Sequence, residues 1–82
     1  MNSASPSSTA ADNCRAEAAR GGRTIQDISD GTGIGRVTLG RRLSGASSFT
    51  INELVAIAAY LGVPLSTLLA GVESAHTSKA SA

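Results

Sequence analysis

The sequence predicts an all-α fold of five short helices, and three observations carry that prediction. Capping residues and glycines recur at short intervals, so that each glycine closes one helix and a cap soon opens the next. No segment alternates apolar and polar residues for long, and no Asn-Gly or Asp-Gly turn separates β-branched runs, so strand signals are lacking. Phe49 and Tyr60 are the only aromatic residues, which leaves Leu, Ile, Val and Ala to build a core suited to small packed helices.

The chain has 82 residues and is one domain at most. A core of that size is marginal, and short helix contacts or a partner subunit are expected to supply stability. Residues 1–9 (MNSASPSST) and 73–82 (ESAHTSKASA) are polar and without periodicity, and both are expected to be disordered tails. The ordered domain is therefore expected over residues 10–72.

A first helix is expected from Ala10 to Arg20, capped by Thr9 and stopped by Gly21-Gly22, with Cys14 and Ala18 one turn apart on its inward face. The run Thr24-Ile25-Gln26-Asp27 has the capping-box pattern with Asp in the final position, opening a second helix that carries Ile25 and Ile28 and ends near Gly33. The third spans Arg36 to Ser44, with Leu39 and Leu43 on one face and Gly45 at its end. After the polar linker ASSF, Thr50 and Glu53 form a second capping box for a fourth helix carrying Leu54, Ile57, Ala58 and Leu61. Gly62 stops it. Pro64 opens a short fifth helix with Leu65, Leu68 and Leu69, closed by Gly71.

The formal net charge is only +1, yet its distribution is uneven. Between residues 15 and 42 six arginines face three acids, a local charge of +3. Cys14 is the single cysteine, which excludes an intramolecular disulfide or a cysteine-based metal site and fits a reduced cytosolic protein. It is expected to fill an apolar site rather than react. His76 stands in a polar tail without ligand partners, and no metal or other cofactor is expected. The N-terminal residues lack the basic start and apolar run of a secretory signal, and LVAIAAYLGVPL is too short to span a bilayer. A cytoplasmic protein is expected.

The stretch GTGIGRVTLGRRL, residues 31–43, poses the functional question: a phosphate cradle or a turn between helices. A dinucleotide fingerprint requires G-x-G-x-x-G after a strand, but Arg36 stands three residues past Gly33 and the preceding segment is helical. A P-loop requires Gly-Lys-Ser/Thr, and the only lysine is Lys79 in the tail. The turn reading requires two short helices joined by about three residues containing Gly. Gly33 can take the left-handed conformation, Ile34 can plug the angle between the helices and Gly35 can cap the next helix.

The run TIQDISDGTGIGRVTLGRRLSG followed by FTINELVAIAAYLGVPLSTLL resembles the XRE-type helix-turn-helix family, the small DNA-binding domains of phage repressors and Cro proteins. The resemblance covers Asn13 to Leu69. It implies a compact five-helix, lambda-repressor-like domain with the helix-turn-helix at helices 2 and 3, the third entering the DNA major groove, commonly as a dimer on a palindromic operator. It departs from the family in having Ile25 and then Gln26 where Gln often opens the second helix, and Ser29 where Ala is common. Gln26 can replace the usual phosphate contact, and the Ser29 hydroxyl can bond back to a helix carbonyl.

With Leu39 and Leu43 facing the core, Val37 and Arg41 lie on the opposite side of the third helix, and Arg36 projects from its first turn. Arg36, Val37 and Arg41 are assigned to base readout: arginine can pair with guanine and valine can pack on a thymine methyl. The alternative is that both arginines meet only phosphate or solvent. Thr38, Arg42, Ser44, Ser47 and Ser48, with Arg23, Thr24 and Gln26, are candidates for phosphate contacts, while for the loop serines a solvated linker serves as well. Arg15 and Arg20 are expected as surface charges paired with Asp12 or Glu17. Gly40, inside a helix, costs about 1 kcal/mol relative to alanine and either permits a close approach or is a tolerated defect. Val63, Leu65, Leu68, Leu69 and Val72 form a candidate dimer surface, or else dock the fifth helix on the first and fourth.

The function expected is a sequence-specific DNA-binding transcriptional regulator, a Cro-like or phage-type repressor acting in the cytoplasm of a bacterium or phage-infected host, with no small-molecule effector evident. The alternative is a protein-interaction module such as the antidote of a toxin–antidote pair. No Cys/His pairing, core carboxylate pair or metal-ligand spacing points to an enzyme.

Overall fold

Five helices follow one another through residues 5–73, the part of the chain that the computed structural model describes. They are α1 (Pro6–Arg20), α2 (Ile25–Thr32), α3 (Arg36–Ser44), α4 (Ile51–Leu61) and α5 (Leu65–Leu68), and no strand occurs among the described residues. The expected tail residues 1–4 and 74–82, His76 and Lys79 among them, lie outside the described residues.

The capping patterns explain three of the helix starts. Thr24 and Asp27 exchange side-chain and backbone hydrogen bonds at the start of α2 (3.0 and 2.9 Å), and Thr50 and Glu53 do the same at α4 (3.0 and 2.9 Å). The first helix departs from expectation: it begins at Pro6 rather than Ala10, because Ser5 and Ser8 form their own capping box and proline fits the first turn. Residues 6–9 are therefore helical rather than tail, and Ala10 and Ala11 join the buried set.

Ile28, Leu39, Ile57, Leu68 and Cys14 are the fully buried centre, with Leu43, Leu54, Ala18 and Ala58 around them. Each large aliphatic side chain taken out of water contributes about 1.5–3 kcal/mol. The α1 helix packs on α3, α4 and α5, while α2 rests on α3 and α4. Cys14 fills an apolar site as expected, and burial pushes its thiol up to about 11. Its thiolate is therefore scarce at neutral pH.

A close approach between α2 and α4 requires one particular glycine. A Cβ on Gly31 would fall 2.2 Å from the Tyr60 ring, so the ring lies directly against the α2 backbone. The opposite condition holds at Gly40, where an added Cβ meets no heavy atom within 4 Å. Thermal melts should separate the two: Gly31→Ala destabilises the domain by about 1–3 kcal/mol through overpacking, whereas Gly40→Ala stabilises it by about 1 kcal/mol through helix propensity.

Candidate nucleic-acid interface

The turn between α2 and α3 is built as its residues predict. Gly33 is left-handed at φ 80°, and its N–H donates to the Ser29 carbonyl at 2.9 Å. Ile34 is partly buried against the core, and Gly35 caps α3 without a side-chain bond. Ser29 reaches across the turn, donating to the Ile34 carbonyl at 2.6 Å instead of bonding within its own helix. Thr32 ties the same corner by accepting from the Ile34 N–H at 3.2 Å.

On α3, burial of Leu39 (0% exposed) and Leu43 (6%) fixes which side turns outward. Val37 is consequently 79% exposed, and Arg41, one turn on, is exposed beside it. A valine left that far in water makes no packing contribution to the free domain. Arg36, also exposed, donates to the Gln26 side-chain oxygen at 3.1 Å, while the Gln26 amide donates to Asp30 at 2.8 Å. Gln26 therefore holds Arg36 at the N-terminal end of α3. Three ion pairs occur among the described residues, and neither Arg36 nor Arg41 is in one.

Arg42, a candidate phosphate contact, has partners within the domain: its Nε and Nη2 donate to Glu53 at 2.8 and 3.2 Å and its Nη1 to Ser47 at 2.7 Å. The guanidinium thus clamps the end of α3 to the start of α4, and Ser47 is its partner rather than an open loop hydroxyl. Ser44 donates to the Arg41 carbonyl at 3.1 Å, closing the helix end. Ser48 accepts from Ser7 at 2.8 Å, linking the loop to α1. Thr38 is half-buried.

At the start of α2, Thr24 is engaged in its cap, and Arg23 lies over the Tyr60 ring with 5.3 Å to its centroid, a cation–π contact. Arg20 pairs with Glu17 at 3.1 Å. Arg15 pairs with Asp12 and also donates to the Leu43 carbonyl, so it tethers α1 to the end of α3.

The surplus of apolar residues in and around α5 is absorbed by the fold. Leu68 is fully buried, and Val63, Leu65 and Leu69 pack against the core. Val72 is also partly covered. Asn13 secures the segment by donating to the carbonyls of Leu68 (2.9 Å) and Ala70 (2.7 Å). The candidate dimer residues at α5 thus also pack within the chain, where α5 meets α1 and α4, and only Leu68 among them is fully buried. Apolar exposure appears instead on α4, at Ile51 (64%) and Val55 (48%), residues one turn apart. That pair lies on the flank of the face that buries Leu54, Ile57 and Ala58.

Taken together, a glycine-centred turn, a locked outer helix and a cationic outward face define a helix-turn-helix DNA-binding domain. The helix-turn-helix family model matches residues 15–68, and the chain belongs to that family, the XRE type with Cro-like and C1-like members. It is a DNA-binding family, not an enzymatic one. No curated protein and no solved structure matches the chain. No helix among the described residues is long and apolar enough to cross a membrane.

The clamp gives the domain an acid-sensitive element. The Arg42 guanidinium, helped by the Thr50 N–H, holds the Glu53 carboxyl below its ordinary value of 4.5. Its stabilising effect is therefore complete above that value and is lost as pH falls through the depressed folded one. Asp27 behaves likewise, lowered by the Thr24 N–H and then the Thr24 hydroxyl. Denaturant titrations across this range should show Glu53→Gln less stable than the native chain at neutral pH and less dependent on pH in acid. An unchanged acid slope would remove the clamp from the account.

Proposed function

We propose that the chain is a sequence-specific transcriptional regulator of the Cro or phage-repressor kind, repressing by occupying an operator with α3 in the major groove. The carrying observation is the outward face of α3, where Val37 and Arg41 are exposed and unpaired by carboxylates while Leu39 and Leu43 are locked beneath them. Arg41 serves guanine, Val37 a thymine methyl, and Arg36 a base near the helix N-terminus once positioned by Gln26. Gln26, Thr24, Arg23 and the hydroxyls of Thr38, Ser44 and Ser48 serve as its phosphate partners. Arg42 supports this face indirectly, by fixing the end of α3.

A homodimer on a palindromic operator completes the reading, with its two reading helices about 34 Å apart, one DNA turn. We assign its interface to α4 rather than α5. Ile51 and Val55 are exposed there, and the carboxylate of Glu53 between them is engaged by Arg42, which limits like-charge repulsion between two copies. The alternative, an antidote-like module binding a protein through α5 or the C-terminal tail, has less support at α5, where Leu68 is buried and Val63, Leu65 and Leu69 pack against the core.

Selection of bound DNA from a random pool should return a palindromic consensus; recovery of no consensus would overturn the operator reading. In gel-shift titrations on that consensus, Arg41→Ala should cost about 1–3 kcal/mol and relax preference at one position. Arg42→Ala should lower the melting temperature while leaving the salt slope of binding unchanged. In sedimentation, Val55→Glu should abolish dimerisation on DNA, and a native chain that is monomeric both free and bound would discard the α4 interface.

A further inference from the structure

Gly40 stands in the middle of α3, where glycine weakens a helix relative to alanine because the unfolded chain has more freedom to lose. Two conditions within the chain would require glycine there, and neither holds. Its φ is not positive, so alanine can take the same backbone conformation. A Cβ at Gly40 meets no heavy atom within 4 Å, so no neighbouring helix presses on it as Tyr60 presses on Gly31.

Its position directs attention to what lies outside the chain. Gly40 follows Arg36 and Val37 by one turn, precedes Ser44 by one turn and adjoins Arg41, and all four of those residues are exposed. Among them Gly40 is a notch where the backbone itself forms the surface. The notch opens onto a groove that is also lined by Arg23 and Ile25, at the start of α2, with Ala18 and Ala19 behind.

We propose that Gly40 is a positioning residue for DNA readout, its missing side chain letting α3 sink deep enough for Arg36, Val37 and Arg41 to reach base edges. The inference rests on the operator reading above, and close approach of a backbone to a ligand is one of the uses of glycine. The strand whose phosphates meet Arg23, Thr24 and Gln26 at the start of α2 crosses Gly40, with a deoxyribose in van der Waals contact with the helix backbone. A methyl group at that point holds α3 away from the groove floor, and hydrogen bonds to bases weaken steeply once stretched or tilted. Phosphate contacts from long, flexible side chains tolerate the same displacement. Stability and specific affinity therefore move in opposite directions when the glycine is replaced.

The test uses the full chain and a duplex carrying the consensus selected from the random pool. Gly40→Ala should raise the melting temperature yet weaken binding to that duplex by on the order of tenfold, comparable with the loss of one base contact. Binding to unrelated duplex DNA, and its salt slope, should stay unchanged. Gly40→Leu, with a larger side chain and a good helix former, should lose preference for the consensus altogether. Arg41→Ala measured alongside keeps the two readings apart. If Arg41→Ala weakens consensus binding and Gly40→Ala does not, close approach at Gly40 is overturned while the operator reading stands. If neither change matters, or no consensus is recovered, the operator reading fails and takes the role of Gly40 with it. A Gly40→Ala chain that melts lower than the native one would also overturn the proposal, because the glycine would then serve the fold.

Discussion

The structure depends on the burial of two leucines, Leu39 and Leu43, along one edge of a nine-residue helix. So short a helix has little stability of its own in water, and its orientation comes from whatever covers its apolar edge. Here Ile28, Cys14 and Ile57 share the buried cluster with it, drawing on α2, α1 and α4 together. Rotating α3 to present another face would expose both leucines, at about 1.5–3 kcal/mol each. The outward placement of Val37 and Arg41 is the other side of that same constraint.

The arginines show how one residue type is divided among tasks by its surroundings. Arg42 is committed to Glu53 and Ser47, Arg20 to Glu17, and Arg15 to Asp12 and the Leu43 carbonyl. Arg23 rests on Tyr60. Only Arg36 and Arg41 reach outward from α3 without a carboxylate, and Arg36 is steadied by a neutral glutamine. A local excess of positive charge thus becomes a directed one because acids on α1 and α4 engage the arginines that face them. The same pairing ties the charged surface to stability, since Glu53 caps α4 and grips Arg42 at once.

Much of the fold was legible because its signals are local. The Thr24–Asp27 and Thr50–Glu53 boxes, and the glycines at 33, 45 and 62 with positive φ, mark helix ends by chemistry acting within four or five residues. The α1 boundary was misplaced because the Ser5–Ser8 box lies in a serine-rich run that also has the composition of a tail. The Arg42–Glu53 clamp, the ring of Tyr60 on Gly31 and the hold of Arg15 on α3 were not legible: each joins residues from different helices, and nothing in their spacing says they meet.

The sequence by itself determined five helices, the left-handed turn at Gly33 and the pair of leucines that turns one face of the third helix outward, because capping and periodicity are properties of neighbouring residues. Tertiary structure decided which cations remain free, where apolar surface remains exposed, and that Gly40 opens onto a groove while Gly31 receives a ring. Those outcomes depend on which helix faces which across the core. Leu68 and Ile51 are both apolar residues near helix ends, and only the packing of α5 on α1 and α4 buries the first and leaves the second in water.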